Sequence, residues 1–352
     1  MKMSKPDLNY RDTYLWTGKV LNGLRKAANE NQFIEILPSI VSSIFEPGAR
    51  HSFAVLGDKK IPDIINEEPG SVTIQGKEKY YLPVSHVVEK QMSLEFLDKV
   101  YCLAPCLRLV MDGEEISGKH LYNFFQFEIE WRTSSMDDVF IQGEKILTSL
   151  AKTILEDKTL DLTDKGLRNI KALAKTGYKA ITFSEGHKLI GNLDNIKRDF
   201  TPEEDEKLTS LFDVPFWIYD YPEGVRDSIY HQNENGSYDT YDLMLPFGYG
   251  ELTTGGIRPK SAKEILEQSK KLGKSYSRDY ADWKDRSQIQ TAGFGIGLER
   301  IIRYVSGCDS ILDIVQYHDL GPNRKIDRNF FINKKINIHE AWFIWKCQKI
   351  YI

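Results

Sequence analysis

The chain has 352 residues, of which 41% belong to the AVILMFWYC set and 28% are charged. That length buries a substantial core in one large domain or two ordinary ones, and it excludes a disordered chain, a collagen-like fibre and a disulfide-stapled miniprotein. Lys plus Arg number 47 against 51 Asp plus Glu, a formal charge of -4; with only short clusters such as Lys59-Lys60 and Lys270-Lys271, the balance argues against strong autonomous nucleic-acid binding, which draws its affinity from a basic surface.

In chain order, Leu15, Val20, Leu21, Leu24 and Ala28 recur at helical spacing and predict a helix over about 12–31. A short strand, Phe33 to Pro38, follows. Residues 41–79 are rich in Gly, Pro and charge and read as loop with short strands. From Tyr80 the pattern is strand, helix (about 85–96), strand (Lys99 to Arg108), polar loop, and strand (Asn123 to Arg132). An amphipathic helix is expected over Met136 to Asp157, with Ser134 or Ser135 as N-cap. Residues 158–213 read as a charged, helical insertion in which Thr201 to Glu204 is a helix start. Phe216 to Tyr219, Tyr238 to Leu245 and Tyr249 to Thr253 have strand composition, and 261–272 reads as helix. Gly293 to Arg300 feeds a final helix that stops at Gly307. Strands outnumber helices and cluster as neighbours, so the fold class expected is α+β, an antiparallel sheet flanked by helices.

The four cysteines, at 102, 106, 308 and 347, form no CxxC pair; Cys102 and Cys106 flank an apolar stretch and are read as packing residues. No secretory leader and no run of about 18 uncharged apolar residues is visible, so a cytoplasmic protein with no membrane span is expected.

Three segments carry chemistry. Gly293 to Arg300 lets a strand pass closely into a helix that bears an arginine on its first turns; it matches neither a dinucleotide fingerprint nor a Walker A loop. Arg108 ends an apolar strand, where an unpaired guanidinium is costly, so it needs an anion: a carboxylate of the fold or a ligand phosphate. Glu128 and Glu130, two apart, face one side of their strand. Glu251 ends another apolar strand, Gly255 and Gly256 permit close approach before Arg258, and Asp242 with Glu251 offers oxygens to a hard cation such as Mg2+. Taken singly, each acid also reads as a salt-bridged or solvated group.

In this order the segments resemble the three signature motifs of class II aminoacyl-tRNA synthetases, most closely the aspartate/asparagine group. Motif 1 corresponds to the helix ending in Phe33 to Pro38, motif 2 to Arg108 through Glu130, and motif 3 to Gly293 through Arg300. Leu82 to Gln91 resembles the group's amino-acid-binding segment. Within the group the chain is most similar to the archaeal asparagine synthetases related to asparaginyl-tRNA synthetase, on Pro215 to Ile218, Tyr241 to Leu243, Leu245 to Glu251 and the aliphatic Val87. Because motif 1 begins almost at the N-terminus, no anticodon-binding barrel is expected. Residues 1–325 would form the catalytic domain, with 158–213 inserted, and 326–352 a C-terminal tail.

The resemblance implies ATP and Mg2+ as cofactors. Arg108 would hold the α-phosphate, Arg300 would lie over the adenine and reach the γ-phosphate, Phe124 would stack on the other adenine face, and His120 would meet the outer phosphates. Asp242 and Glu251 would bind Mg2+. Arg258 and Lys90 would read the side chain of the amino acid, and Ser85 and Glu128 its α-ammonium group. The chain departs from the group at Val110, where motif 2 usually has a glutamate, in the length of the motif 2 loop, and around His318 to Pro322. The leading expectation is an ATP-dependent ligase that activates aspartate as aspartyl-AMP and amidates it with ammonia to asparagine. The alternatives are transfer of activated Asp or Asn to tRNA, a peptide or a small amine, with tRNA not favoured by the charge, and a non-catalytic amino-acid-binding paralogue. A homodimer paired through motif 1 is also implied.

Overall fold

The computed structural model describes residues 10–42, 54–56, 79–107, 121–192, 197–226, 230–272 and 278–316. Its elements in chain order are α1 (Tyr10–Glu30), β1 (Ile34–Glu35), β2 (Ala54–Leu56), β3 (Lys79–Tyr81), α2 (Val87–Ser93), β4 (Lys99–Leu107), β5 (Asn123–Arg132), α3 (Met136–Glu156), α4 (Asp164–Leu173), β6 (Lys179–Thr182), α5 (Phe183–Leu189), α6 (Pro202–Thr209), β7 (Phe216–Tyr221), β8 (Tyr238–Leu245), β9 (Gly250–Ile257), α7 (Ala262–Leu272), α8 (Arg278–Ser287), β10 (Thr291–Gly297) and α9 (Leu298–Ser306). No helix among the described residues is long and apolar enough to cross a membrane.

Eight strands form one sheet in the order β1-β4-β5-β10-β9-β8-β7-β6, and β2 pairs with β3 in a small hairpin-like sheet. The six central strands are antiparallel to their neighbours, whereas the edge strands β1 and β6 run parallel to β4 and β7. This is the α+β architecture expected from the strand-rich order of elements.

Alternation along the strands assigns the two faces. Tyr101, Phe127, Ile129, Trp131, Trp217, Tyr241, Leu243 and Phe294 point to one side and meet Trp16, Val20 and Leu24 of α1, Leu147 and Leu150 of α3, and Ile301, Ile302 and Val305 of α9 in the main core. Gly255 is required there by close approach: a Cβ would lie 2.2 Å from the Gly293 carbonyl and 2.7 Å from both the Tyr241 ring and the Phe294 Cβ. Smaller clusters cover the two ends of the opposite face, Val88, Ile265, Tyr280 and Trp283 at one and Phe183, Leu208, Phe216 and Ile218 at the other.

Local signals act as the sequence suggests at several ends. Ser135 caps α3 by accepting from the Asp138 amide. Thr201 and Glu204 form a capping box with Pro202 in the first turn of α6, and Gly307 closes α9 with φ 80°, a conformation glycine adopts without penalty.

Two expectations need correction. The segment 158–213 is not wholly helical: β6 lies within it and extends the main sheet beside β7. Its four residues are exposed or half-buried edge residues, so they carry no apolar alternation from which a strand could be read. The strand read over Phe33 to Pro38 is only two residues long, because beyond Glu35 the chain leaves the sheet and Leu37 is 94% exposed. Cys102, Cys106 and Cys308 are buried free thiols, and burial pushes the Cys102 thiol up to about 12. Cys347 and the tail over 326–352 lie outside the described residues.

Candidate active site

The register places the predicted site residues in two rows across the face opposite the main core. Cys102, Glu128, Gly295, Thr254 and Asp242 are successive cross-strand partners from β4 to β8, and Val100, Glu130, Gly293, Gly256 and Thr240 form the adjacent row. Glu128 and Asp242 therefore stand three strand spacings apart, roughly 14 Å. Between them the rows hold glycines and a threonine, which leaves the floor of the site low. Gly293 is dictated by this arrangement, since a Cβ there would come within 2.2 Å of Glu130 Oε2.

At the β5 end, two ion pairs are buried together. Lys90 Nζ lies 2.8 Å from Glu128 Oε2 and 4.0 Å from Glu130 Oε2. Arg258 grips Glu130 with Nε at 2.9 Å and Nη2 at 2.7 Å, and Thr291 Oγ1 donates to Glu130 Oε1 at 2.9 Å. The His86 amide donates to Glu128 Oε2 at 3.1 Å. Burial opposes the charges on Lys90 and Glu128, but each outweighs that penalty for the other: the lysine is held above its ordinary pKa and the glutamate below its own. Arg258, likewise penalised by burial, is held above its ordinary value by Glu130. A third cation, Lys284 of α8, is 0% exposed and donates to the Ile289 carbonyl at 2.6 Å. Burial lowers it to about 8, with Glu130 and Arg258 acting in opposite directions. Ser85 is half-buried just before α2.

At the β8–β9 end, Arg300 donates through Nη1 to Glu251 Oε1 at 2.8 Å and to the Glu251 carbonyl at 2.9 Å. Burial works against the Glu251 charge, yet Arg300 and Arg226 hold its pKa below the usual range. Asp242 accepts from the Tyr221 hydroxyl at 2.5 Å and from Arg226, both on Oδ2. Burial, with Glu251 and Asp199 nearby, pushes Asp242 up to about 7 against the pull of Arg226. Its Oδ1 is buried and has no hydrogen-bond partner. Asp242, Glu251 and Arg300 share a cavity of about 150 Å³ with Asp199, Asp205 and Arg303.

Phe124 is half-buried on β5 and packs against both Cys106 and the main core. Its neighbour Phe125 donates its amide to both oxygens of Glu299, at 3.1 and 3.2 Å, which ties motif 2 to the first turn of α9. Arg108 and His120 lie outside the described residues. Lys90, Glu128 and Arg258 thus come together at one end, and Asp242, Glu251 and Arg300 at the other. Sequence reasoning missed Arg226, Tyr221, Asp199, Asp205 and Lys284 as members, and gave Glu130 a place on the right face but no partner. Asp199 and Asp205 fall in the segment read as a charged, helical insertion, and Arg226 sits in an aperiodic loop that carries no pattern.

A divalent cation is compatible with one feature of the donor set. Asp242 lines the cavity, and its Oδ1 is a buried acceptor with no hydrogen-bond partner. Among the described residues no group of three His, Cys, Asp or Glu side chains is arranged to hold a metal, so a cation here would also draw on water or ligand oxygens, as Mg2+ commonly does.

The model of the family described as tRNA synthetases class II (D, K and N) matches residues 7–320. The chain belongs to this family. Among curated relatives, the asparagine–tRNA ligase of Buchnera aphidicola subsp. Schizaphis graminum is 26% identical over 324 residues, covering 85% of this chain and 67% of the relative. That of Idiomarina loihiensis is 25% identical over 262 residues, 69% of this chain, but only 55% of the relative's own length is spanned. The fold is similar to the Pyrococcus horikoshii asparaginyl-tRNA synthetase complexed with asparaginyl-adenylate, with TM-score 0.74 and 20% identity over 88% of this chain and 68% of that one. The corresponding Entamoeba histolytica complex gives 0.68 and 17%, over 91% and 68%. The segments read as motif 2 and motif 3 contribute the paired strands β5 and β10, with Glu128 and Glu130 of one charged cluster on β5 itself and Arg300 of the other just after β10.

Proposed function

We propose that the chain is an ATP-dependent ligase that activates an aspartate- or asparagine-type amino acid as its aminoacyl-adenylate. The observation that carries this reading is the placement of both charged clusters on one sheet face, about 14 Å apart by strand spacing, within the span that matches the family. The amino acid would sit over Lys90, Glu128 and Arg258, with Ser85 and Glu128 toward its α-ammonium group. ATP would lie toward Arg300, with Phe124 against the adenine and Arg108 and His120 on the phosphates. A carboxylate oxygen attacks the α-phosphorus, an α-phosphate bond breaks, and pyrophosphate leaves. Negative charge gathers on phosphate oxygens in that transition state, and preorganised guanidinium groups stabilise it without reorganising. Magnesium, when bound through Asp242 and Glu251, would supply further positive charge to the phosphates.

For the acceptor, tRNA is supported by relatives named asparagine–tRNA ligase. The amidation reading, aspartyl-AMP released to ammonia, is favoured by a separate observation. Three buried cations, Lys90, Arg258 and Lys284, gather around Glu128 and Glu130, with Glu264 also acting on Lys284, a cation-rich cluster suited to an acidic side chain. Incubation with ATP and radiolabelled aspartate, with and without tRNA and ammonia, separates them. Label on tRNA supports the ligase, free asparagine supports amidation, and absence of aminoacyl-AMP by mass spectrometry contradicts both. ATP use and the buried free thiols fit a cytoplasmic setting.

A homodimer is proposed through the edge at β1. Ile34, Leu37, Ile40 and Val41 are 50%, 94%, 72% and 42% exposed, an apolar run beside a strand edge that has no neighbour among the described residues. Sedimentation should return a dimer mass, and Leu37→Asp with Ile40→Asp should shift it to monomer; a monomer mass for the parent chain contradicts the pairing.

A further inference from the structure

The cavity end of the site contains a cation of the protein's own. Arg226 follows β7 and belongs to none of the three motif segments. Its guanidinium stacks on the Tyr221 ring with a centroid distance of 3.8 Å, bonds Asp242 Oδ2, and places Nη1 3.2 Å from Asp199 Oδ2. Only 11% of its side chain is exposed. Arginine suits this seat because a planar, weakly hydrated fork can bridge two carboxylates and stack on an aromatic face at once. Asp242 is therefore asymmetric. Oδ2 is taken by Arg226 and Tyr221, while Oδ1 is buried without a hydrogen-bond partner in a residue that lines the cavity.

We propose that Arg226 is a built-in counter-cation that competes with a divalent metal ion for Asp242, so that the metal binds weakly until nucleotide phosphates enter with it. Two positive charges a few ångströms apart in a poorly hydrated site repel strongly. A metal drawn to Oδ1 must bind against the guanidinium on Oδ2 or push it toward Asp199, which is already poised to receive it. The anionic phosphates of a nucleotide would offset the same repulsion. Metal would therefore arrive with the nucleotide rather than wait in the empty site. The inference rests on the reading of Asp242 as a metal acceptor, and the test separates the two.

The measurement is titration of Mn2+ into the full, nucleotide-free chain, followed by isothermal calorimetry and by the free Mn2+ paramagnetic signal. Arg226→Gln should bind Mn2+ about tenfold tighter or more than the parent, Arg226→Lys should stay within about threefold because the charge remains, and Asp242→Asn in the Arg226→Gln background should remove the gain. An unchanged or weaker affinity in folded Arg226→Gln, with Asp242→Asn still abolishing binding, overturns the competition while leaving the metal reading intact. Binding indifferent to Asp242→Asn overturns the metal reading and the inference with it. Should Arg226→Gln fail to fold, the parent chain supplies the readout: Mg2+ should shift the Arg226 Nε–H resonance, assigned by its loss in Arg226→Lys, and an unmoved resonance at saturating Mg2+ overturns the proposal.

Discussion

Glu130 and Asp242 sit on the same sheet face, are 0% and 4% exposed, and are each met by an arginine, yet they differ in how far their oxygens are used. Both oxygens of Glu130 are occupied, Oε1 by Arg258 and Thr291 and Oε2 by Arg258 with Lys90 nearby. Asp242 gathers its donors on Oδ2 and leaves Oδ1 bare. A buried polar group with both oxygens filled needs nothing more, whereas one left half-used calls for an explanation. On the proposed reading the two ends would do different work: the β5 cluster would fix the shape and charge of an amino-acid seat, and the β8–β9 cavity would stay open to nucleotide and metal.

Removing the anion tests the scaffold end first. Glu130→Gln leaves Arg258 buried without its counter-charge and should cost about 3–5 kcal/mol in urea unfolding. Asp242→Asn should cost clearly less, because Arg226 keeps Asp199; equal losses would erase the distinction. Arg300→Ala should lower the adenylation rate about 100- to 1,000-fold, with the fold retained by circular dichroism, since its bonds among the described residues go to Glu251 at the open end. Retained activity would remove Arg300 from the reacting end.

The pH dependence sharpens the picture of the closed end. Burial lowers Lys284 to about 8 in the folded chain, against roughly 10.4 when unfolded. The unfolded state then holds more protons between these values, so this group destabilises the fold fully below pH 8 and the penalty is relieved as pH rises toward 10, by up to about 3 kcal/mol. Lys284→Met should flatten that part of the stability profile; a parent profile already flat from pH 8 to 10 contradicts the burial account. The smallest effect is expected at the open end, where Thr201→Ala removes the cap of α6 and should cost about 1 kcal/mol. Because Thr201 and Pro202 line the cavity, that change should move the nucleotide KM and leave the amino-acid KM in place.

The central hairpin was legible because its signals are periodic. The strands read over Lys99 to Arg108 and Asn123 to Arg132 appear as β4 and β5, and the period of two that sets Glu128 and Glu130 on one face gives the side on which Lys90 meets both. The glycine run ending in Arg300 likewise marked a strand-to-helix passage. The rest depended on long-range register. Nothing near Arg258 indicates that its partner lies 128 positions earlier, and nothing around Val225 and Arg226 indicates that this loop folds against Asp242. Strand β6 and helix α8 were missed because their charge, Lys179 in one and Arg278, Asp279, Asp282 and Asp285 in the other, masks short apolar contacts. Asp242 and Glu251 were singled out as candidate cation ligands, and Arg300 as a phosphate group, but the pairing of Arg300 with Glu251 and of Arg226 with Asp242 was not legible.

The central claim is that these two clusters act on one substrate pair, and amino-acid-dependent exchange of pyrophosphate into ATP tests it most directly. Across the twenty amino acids, the account predicts exchange with aspartate or asparagine, lost in Arg300→Ala. Exchange with none of them by a folded, ATP-saturated chain would contradict it.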